Sequence, residues 1–180
     1  MIGARLAAIA AQLRRASAGA VAVEFALFAP LLLTLFIVGY AMSDIIACNR
    51  KVATTARSVA DLASRFSSVS EADVTTILGA SSQVLSPYQS SNALVRVSEI
   101  KVLTATNAQV IWSRAQGGSA LVTGASVTLP SGMAATGSYL ILGEVSYSYT
   151  PLLAYGMSRA MTLTDQTVMS PRLSDQVPIS

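Results

Sequence analysis

The sequence predicts an α+β protein: a long N-terminal helix, transmembrane in its first half and amphipathic in its second, packed on a small antiparallel β-sheet. Three observations carry this. The nineteen residues from Phe25 to Ser43 hold no charged side chain, enough to cross a hydrocarbon core of about 30 Å at about 1.5 Å per residue. Beyond them, Ile45, Cys48, Val52, Ala56, Val59, Ala63 and Phe66 recur every three or four residues, the stripe of a helix with one buried face. From Ala93 the chain turns to β-branched residues in partial alternation, the pattern of half-buried strands.

Composition bounds the function. Apolar residues make up 52% of the chain and charged residues only 12%, with a mean hydropathy of +0.55, whereas an ordinary soluble domain is about 25% charged. Histidine is absent and Cys48 is the single cysteine. A His/Cys metal cage, an intramolecular disulfide and a His-dependent nucleophile are therefore excluded, and no catalytic residue, cofactor site or metal site is expected. Cys48 reads as a small buried residue, with lipid attachment or an intermolecular thiol as the lesser alternative. The net charge is +3, but apart from Arg14–Arg15 and Arg50–Lys51 the basic residues are not clustered on one face, so nucleic acid is not an expected partner. Arg5, Arg14 and Arg15 precede the apolar run; without them nine basic and nine acidic residues balance.

Taken in order, residues 1–19 form a basic N-terminal tail. The long helix spans 20–66, with its membrane segment at about 25–43. Pro30 lacks the N–H that would bond the Ala26 carbonyl, so a kink is expected there, which membrane helices tolerate. The arginines before the run place the N-terminus in the cytoplasm and residues after Asp44 across the membrane. An extracytoplasmic α+β domain then occupies 67–180. Ser70 and Asp73 form a capping box opening a second helix, and Gly79 suits its C-cap. "SPYQSSN" reads as loop. "ALVRVSEIKVLT", the turn "ATN" and "AQVIWSRA" read as paired strands. The connection after Gln116 carries five glycines and one proline, with a short strand or helical turn expected near Val127 to Met133. "YLILGEVSYSYTP" is the clearest strand, and "MTLTDQTVMSPR" the last. Short connections favour an antiparallel sheet of about four strands, whose apolar face would cover the helix stripe.

One residue resists the plain reading. Glu24 stands at the threshold of hydrocarbon, where a carboxylate costs a few kcal/mol. A secretory signal peptide has no use for it, and its apolar region of 7–15 residues would be shorter than this run. Gly19 lies five positions before Glu24, and Phe25 follows directly.

"GAVAVEFALFAPLLLTLFIVGY" resembles the N-terminal signature of the TadE/TadG-like minor pseudopilins of the tight-adherence (Flp, type IV-like) pilus. "NRKVATTARSVADLASR" is similar to the helical stretch that follows it in that family. "GEVSYSYTPLL" and "TDQTVMSPRLSDQV", with a late Pro-Arg, resemble its ending. The resemblance covers 14–66 and, with fewer matching residues, 139–175; the middle carries little signature. It implies a pilin-like fold, residence in the bacterial inner membrane, and a structural part in initiating, priming or tipping a pilus. It implies cleavage between Gly19 and Ala20 by a prepilin peptidase. Its other implied partners are major and minor pilins, the inner-membrane assembly platform and membrane lipid. Ala20 would be the first mature residue, with Glu24 the fifth and Phe25 the sixth. The new Ala20 amine and the Glu24 carboxylate, about one turn apart, could then offset each other within a chain or between neighbours and fix axial register. The von Willebrand-type domain of larger members does not fit in 180 residues.

The alternative is an uncleaved single-pass anchor carrying an extracytoplasmic binding module, with Glu24 solvated among head groups. Other polar residues read blandly. Trp112 suits a core position. Tyr139, Tyr147, Tyr149 and Tyr155 suit a half-buried sheet more simply than an aromatic binding patch. Glu99, Glu144 and Asp165 show no spacing that pairs them. "GGSALVTG" lacks the lysine and helix of a phosphate loop.

Overall fold

The computed structural model describes residues 17–130, 132, 135–151 and 160–180. It divides into two compact units, Met1–Ser43 and Asp44–Ser180. The class is α+β: one long apolar N-terminal helix and a curled antiparallel sheet of five strands.

Helix α1 runs from Ser17 to Ser64 and passes through Pro30. It is long and apolar enough to cross a membrane. In the first unit its large apolar side chains stand exposed on every face, from Val21 and Phe25 through Leu31, Leu35 and Phe36 to Met42. A helix apolar all round needs an apolar surrounding. In the second unit α1 is one-sided. Cys48, Val52, Ala56, Val59 and Ala63 are buried, with Ile45 and Phe66 packed at the margins of the same core. Its last turn tightens through Arg65 N–H to Leu62 and Phe66 N–H to Ala63, each donating to a carbonyl oxygen.

Helix α2 spans Glu71–Leu85 and opens on the expected capping box: Ser70 Oγ accepts from the Asp73 N–H while the Asp73 carboxylate accepts from the Ser70 N–H. Gly79 does not end it. The apolar stripe of Val74, Ile77 and Leu78 continues to Ser81 and Leu85, so packing carries the helix past the glycine, which faces open space.

The strands are β1 (Ala93–Thr104), β2 (Asn107–Gln116), β3 (Ser126–Thr128), β4 (Tyr139–Tyr149) and β5 (Met161–Met169), in the order β3-β2-β1-β4-β5. The short strand expected near Val127 is β3, which makes the sheet five-stranded rather than about four; Met133 lies outside the described residues. "SPYQSSN" is loop apart from a 3₁₀ turn at Ser90–Asn92. A bulge at Ile111 breaks the β1–β2 register between Glu99 and Ile100.

The sheet has two unlike faces. Val95, Val97, Ile141, Val145, Tyr147 and Tyr149 join the core built with α1 and α2. On the opposite face a smaller cluster gathers Ile100, Val102, Val110, Leu129, Leu140 and Leu142, with Leu121 and Val127 from the Gly-rich connection packed onto it.

Candidate functional site

The residues singled out from the sequence lie in the first turns of α1. Gly19 is partly buried, whereas Ala20, Glu24 and Phe25 are exposed. Ala20 and Glu24 are four residues apart in a helix and so share one face. Arg5, Arg14 and Arg15, like the rest of residues 1–16, lie outside the described residues.

Within the second unit, Asp44 is the first charged residue after the apolar run. Its carboxylate accepts the hydroxyl protons of Tyr88, at 2.9 Å, and of Tyr149. Tyr88 also reaches the Asp44 carbonyl oxygen at 3.2 Å and sits edge-on to Tyr147, with ring centroids 6.1 Å apart. Three elements thus meet at one carboxylate: α1, the loop after α2, and the end of β4. Burial, reinforced by the Asp44 carboxylate, raises both phenols well above the usual tyrosine range. The Cys48 thiol, one helical turn on and fully buried, is pushed up to about 11 by burial and by Asp44. It is thus a thiol rather than a thiolate at neutral pH, the state of an inert core cysteine.

At the other end of the domain the C-terminal segment is strapped to the core. Val177 donates its N–H to Glu99 at 2.5 Å and its carbonyl oxygen accepts from Trp112 Nε1 at 2.8 Å. Glu99 is buried, and that burial raises its carboxyl pKa against the opposing pull of the Val177 and Trp112 donors. Val69 and Ile179 form a parallel bridge. The late Pro-Arg has a specific place: the Arg172 N–H bonds the Ser64 carbonyl oxygen and its guanidinium pairs with Asp61, which Arg65 also holds. Together the two guanidinium groups keep the Asp61 carboxyl below the usual carboxylate range, Arg65 the more strongly.

The remaining polar candidates separate. Glu99 is apart from Glu144, while Glu144 and Asp165 both line an open cleft of about 470 Å³ on β1, β4 and β5, with Arg96, Ser146, Thr164 and Gln166. Arg96 and Glu144 face each other across β1 and β4, 3.3 Å apart, but Arg96 Nε and Glu144 Oε2 make no hydrogen bond. Tyr147 and Tyr149 are core residues, Tyr139 lies under the Lys101 ammonium at 5.4 Å, and Tyr155 falls outside the described residues. No exposed aromatic patch forms among the described tyrosines. Sequence reasoning missed the Asp44 and Val177 arrangements. The proximity of Asp44 to the end of the apolar run was the one available signal.

Comparison with known protein families, curated proteins and solved structures finds no match to this chain.

Proposed function

We propose that this chain is a minor pseudopilin of the tight-adherence type: an inner-membrane protein, cut after Gly19 by a prepilin peptidase, that takes part in initiating, priming or tipping a pilus. The observation that carries the reading is the placement of Gly19, Ala20, Glu24 and Phe25 at the opening of an apolar helix that continues into the core of an α+β domain. In this reading the fold is pilin-like. The domain lies outside the cytoplasmic membrane, and the chain is a substrate of processing with no catalysis of its own.

The chemistry follows from the residues. Glycine before the scissile bond leaves its backbone open to a peptidase. Cleavage creates an ammonium at Ala20 on the helical face of Glu24, and a paired charge is far less costly in an apolar bundle than a lone one. Pairing with a neighbour's amine would set the axial position of each incoming subunit. The polar cleft at Arg96 and Glu144 favours a second reading, the uncleaved anchor with a binding module. Replacing Gly19 with Val separates the two. The pseudopilin reading requires a heavier, unprocessed chain in cells that hold the peptidase. Identical mobility of the wild type and the variant removes it.

A further inference from the structure

We infer that Arg50 and Lys51 hold the phosphate groups of anionic phospholipids in the membrane that α1 crosses, an inference that rests on the membrane reading of residues 25–43. Arg50 lies on the outward side of α1, away from the buried stripe of Cys48, Val52 and Val59, and is exposed. Neither Arg50 nor Lys51 has an ion-pair or side-chain hydrogen-bond partner among the described residues, whereas Arg65, Arg96, Arg114 and Arg172 are each paired with a carboxylate. The nearest acidic group on their own helix, Asp44, has its carboxylate engaged by Tyr88 and Tyr149.

Their position in the helix suits a headgroup. Arg50 is seven residues beyond Ser43, about 10 Å at 1.5 Å per residue. The polar layer on each side of the hydrocarbon is about 5–7 Å deep. Side chains on a helix tilt toward its N-terminus, which for a residue past the span is back toward the bilayer. Long basic side chains extend this reach by laying their stems along the helix. The phosphate is the complementary charge at that depth. Arg57 carries the same charge on the same outward face but stands a further seven residues away, about 10 Å more, a full Debye length in 0.1 M salt.

The test uses the full chain in phosphatidylcholine vesicles at 0.1 M salt, with phosphatidylglycerol or phosphatidylcholine spin-labelled on an acyl chain. The fraction of motionally restricted label gives the relative affinity for each lipid. The expected result is a preference for phosphatidylglycerol of about threefold, in line with the attraction of juxtamembrane cations. It should fall by half or more in Arg50→Gln/Lys51→Gln, stay in Arg57→Gln, and stay in Arg50→Lys. A double variant that keeps the wild-type preference overturns the inference, since the selectivity then arises at Arg14 and Arg15 or the two cations serve a protein partner. A chain that restricts both lipids equally also overturns it while leaving the membrane reading intact. A chain that restricts neither refutes the membrane reading and the inference with it.

Discussion

Gly143 of β4 lies against the backbone of α1 at Ala56, so closely that a Cβ on Gly143 would strike the Ala56 carbonyl oxygen and crowd Ala60 at 3.0 Å. The small stripe of Ala56 and Ala60 on the helix and the glycine on the strand let the two elements meet without intervening side chains. A collision with backbone cannot be relieved by a rotamer change. Gly143→Ala should therefore destabilise the domain by about 1–3 kcal/mol, the usual cost of overpacking, and Gly143→Val by more. Urea unfolding of the detergent-solubilised chain checks this; an unchanged midpoint for Gly143→Val would mean that α1 does not seat on β4.

The helix stripe and the strands were legible because their signals are local. Spacing alone placed Cys48, Val52, Ala56, Val59 and Ala63 on one face, and alternation placed β1 and β4. Gly79 misled because a local breaker competes with burial of Leu85, which only the folded sheet supplies. The capture of Val177 by Glu99 and Trp112, and of Asp44 by Tyr88 and Tyr149, joins residues 44 to 105 positions apart. No spacing rule reaches that far. The Pro-Arg near the C-terminus was visible as a pattern, but its bond to Ser64 and pairing with Asp61 were not.

The Asp44 cluster predicts an alkaline limit. Tyr88 and Tyr149 titrate above the ordinary tyrosine value of 10.0 in the folded chain. Their contribution to stability is therefore complete below about pH 10 and is lost as pH rises beyond it, because the unfolded chain ionises first. Absorbance at 295 nm should show two tyrosines withheld until the chain unfolds. Tyr149→Phe should cost about 1.5–3 kcal/mol, the range for a hydrogen bond to a charged group. All tyrosines titrating together near pH 10 in the folded chain would dismiss the cluster.

Glu99 predicts a dependence of the same sign in a lower pH range, again set by burial. Its folded pKa is raised above 4.5 by burial, so its contribution is most favourable below that value and declines as pH rises through the folded pKa. Glu99→Gln keeps an oxygen for the Val177 N–H and removes the ionisation. The variant should melt higher than wild type at pH 7, with the gain vanishing below about pH 4.5. A gain that persists unchanged into acid would point to packing rather than charge.

If the chain is the proposed pseudopilin, variants at Glu24 should separate processing from assembly. Glu24→Gln keeps shape and loses charge; Glu24→Ala also removes the insertion cost of an ionisable group. Both variants should insert and be cut at Gly19, then fail to enter the pilus machinery, with mature chain accumulating in the inner membrane. Piliation scored beside an immunoblot for precursor and mature forms checks this. Normal piliation by fully processed Glu24→Ala would sink the register role and spare the cleavage site.

The most direct measurement is the N-terminal sequence and intact mass of the chain extracted from membranes of cells that make the pilus machinery. For a processed pseudopilin the expected result is a chain that starts at Ala20 and lacks the mass of residues 1–19. An intact Met1 in the membrane-extracted protein, with a known prepilin fully processed in the same cells, would contradict it and leave the anchored binding module in its place.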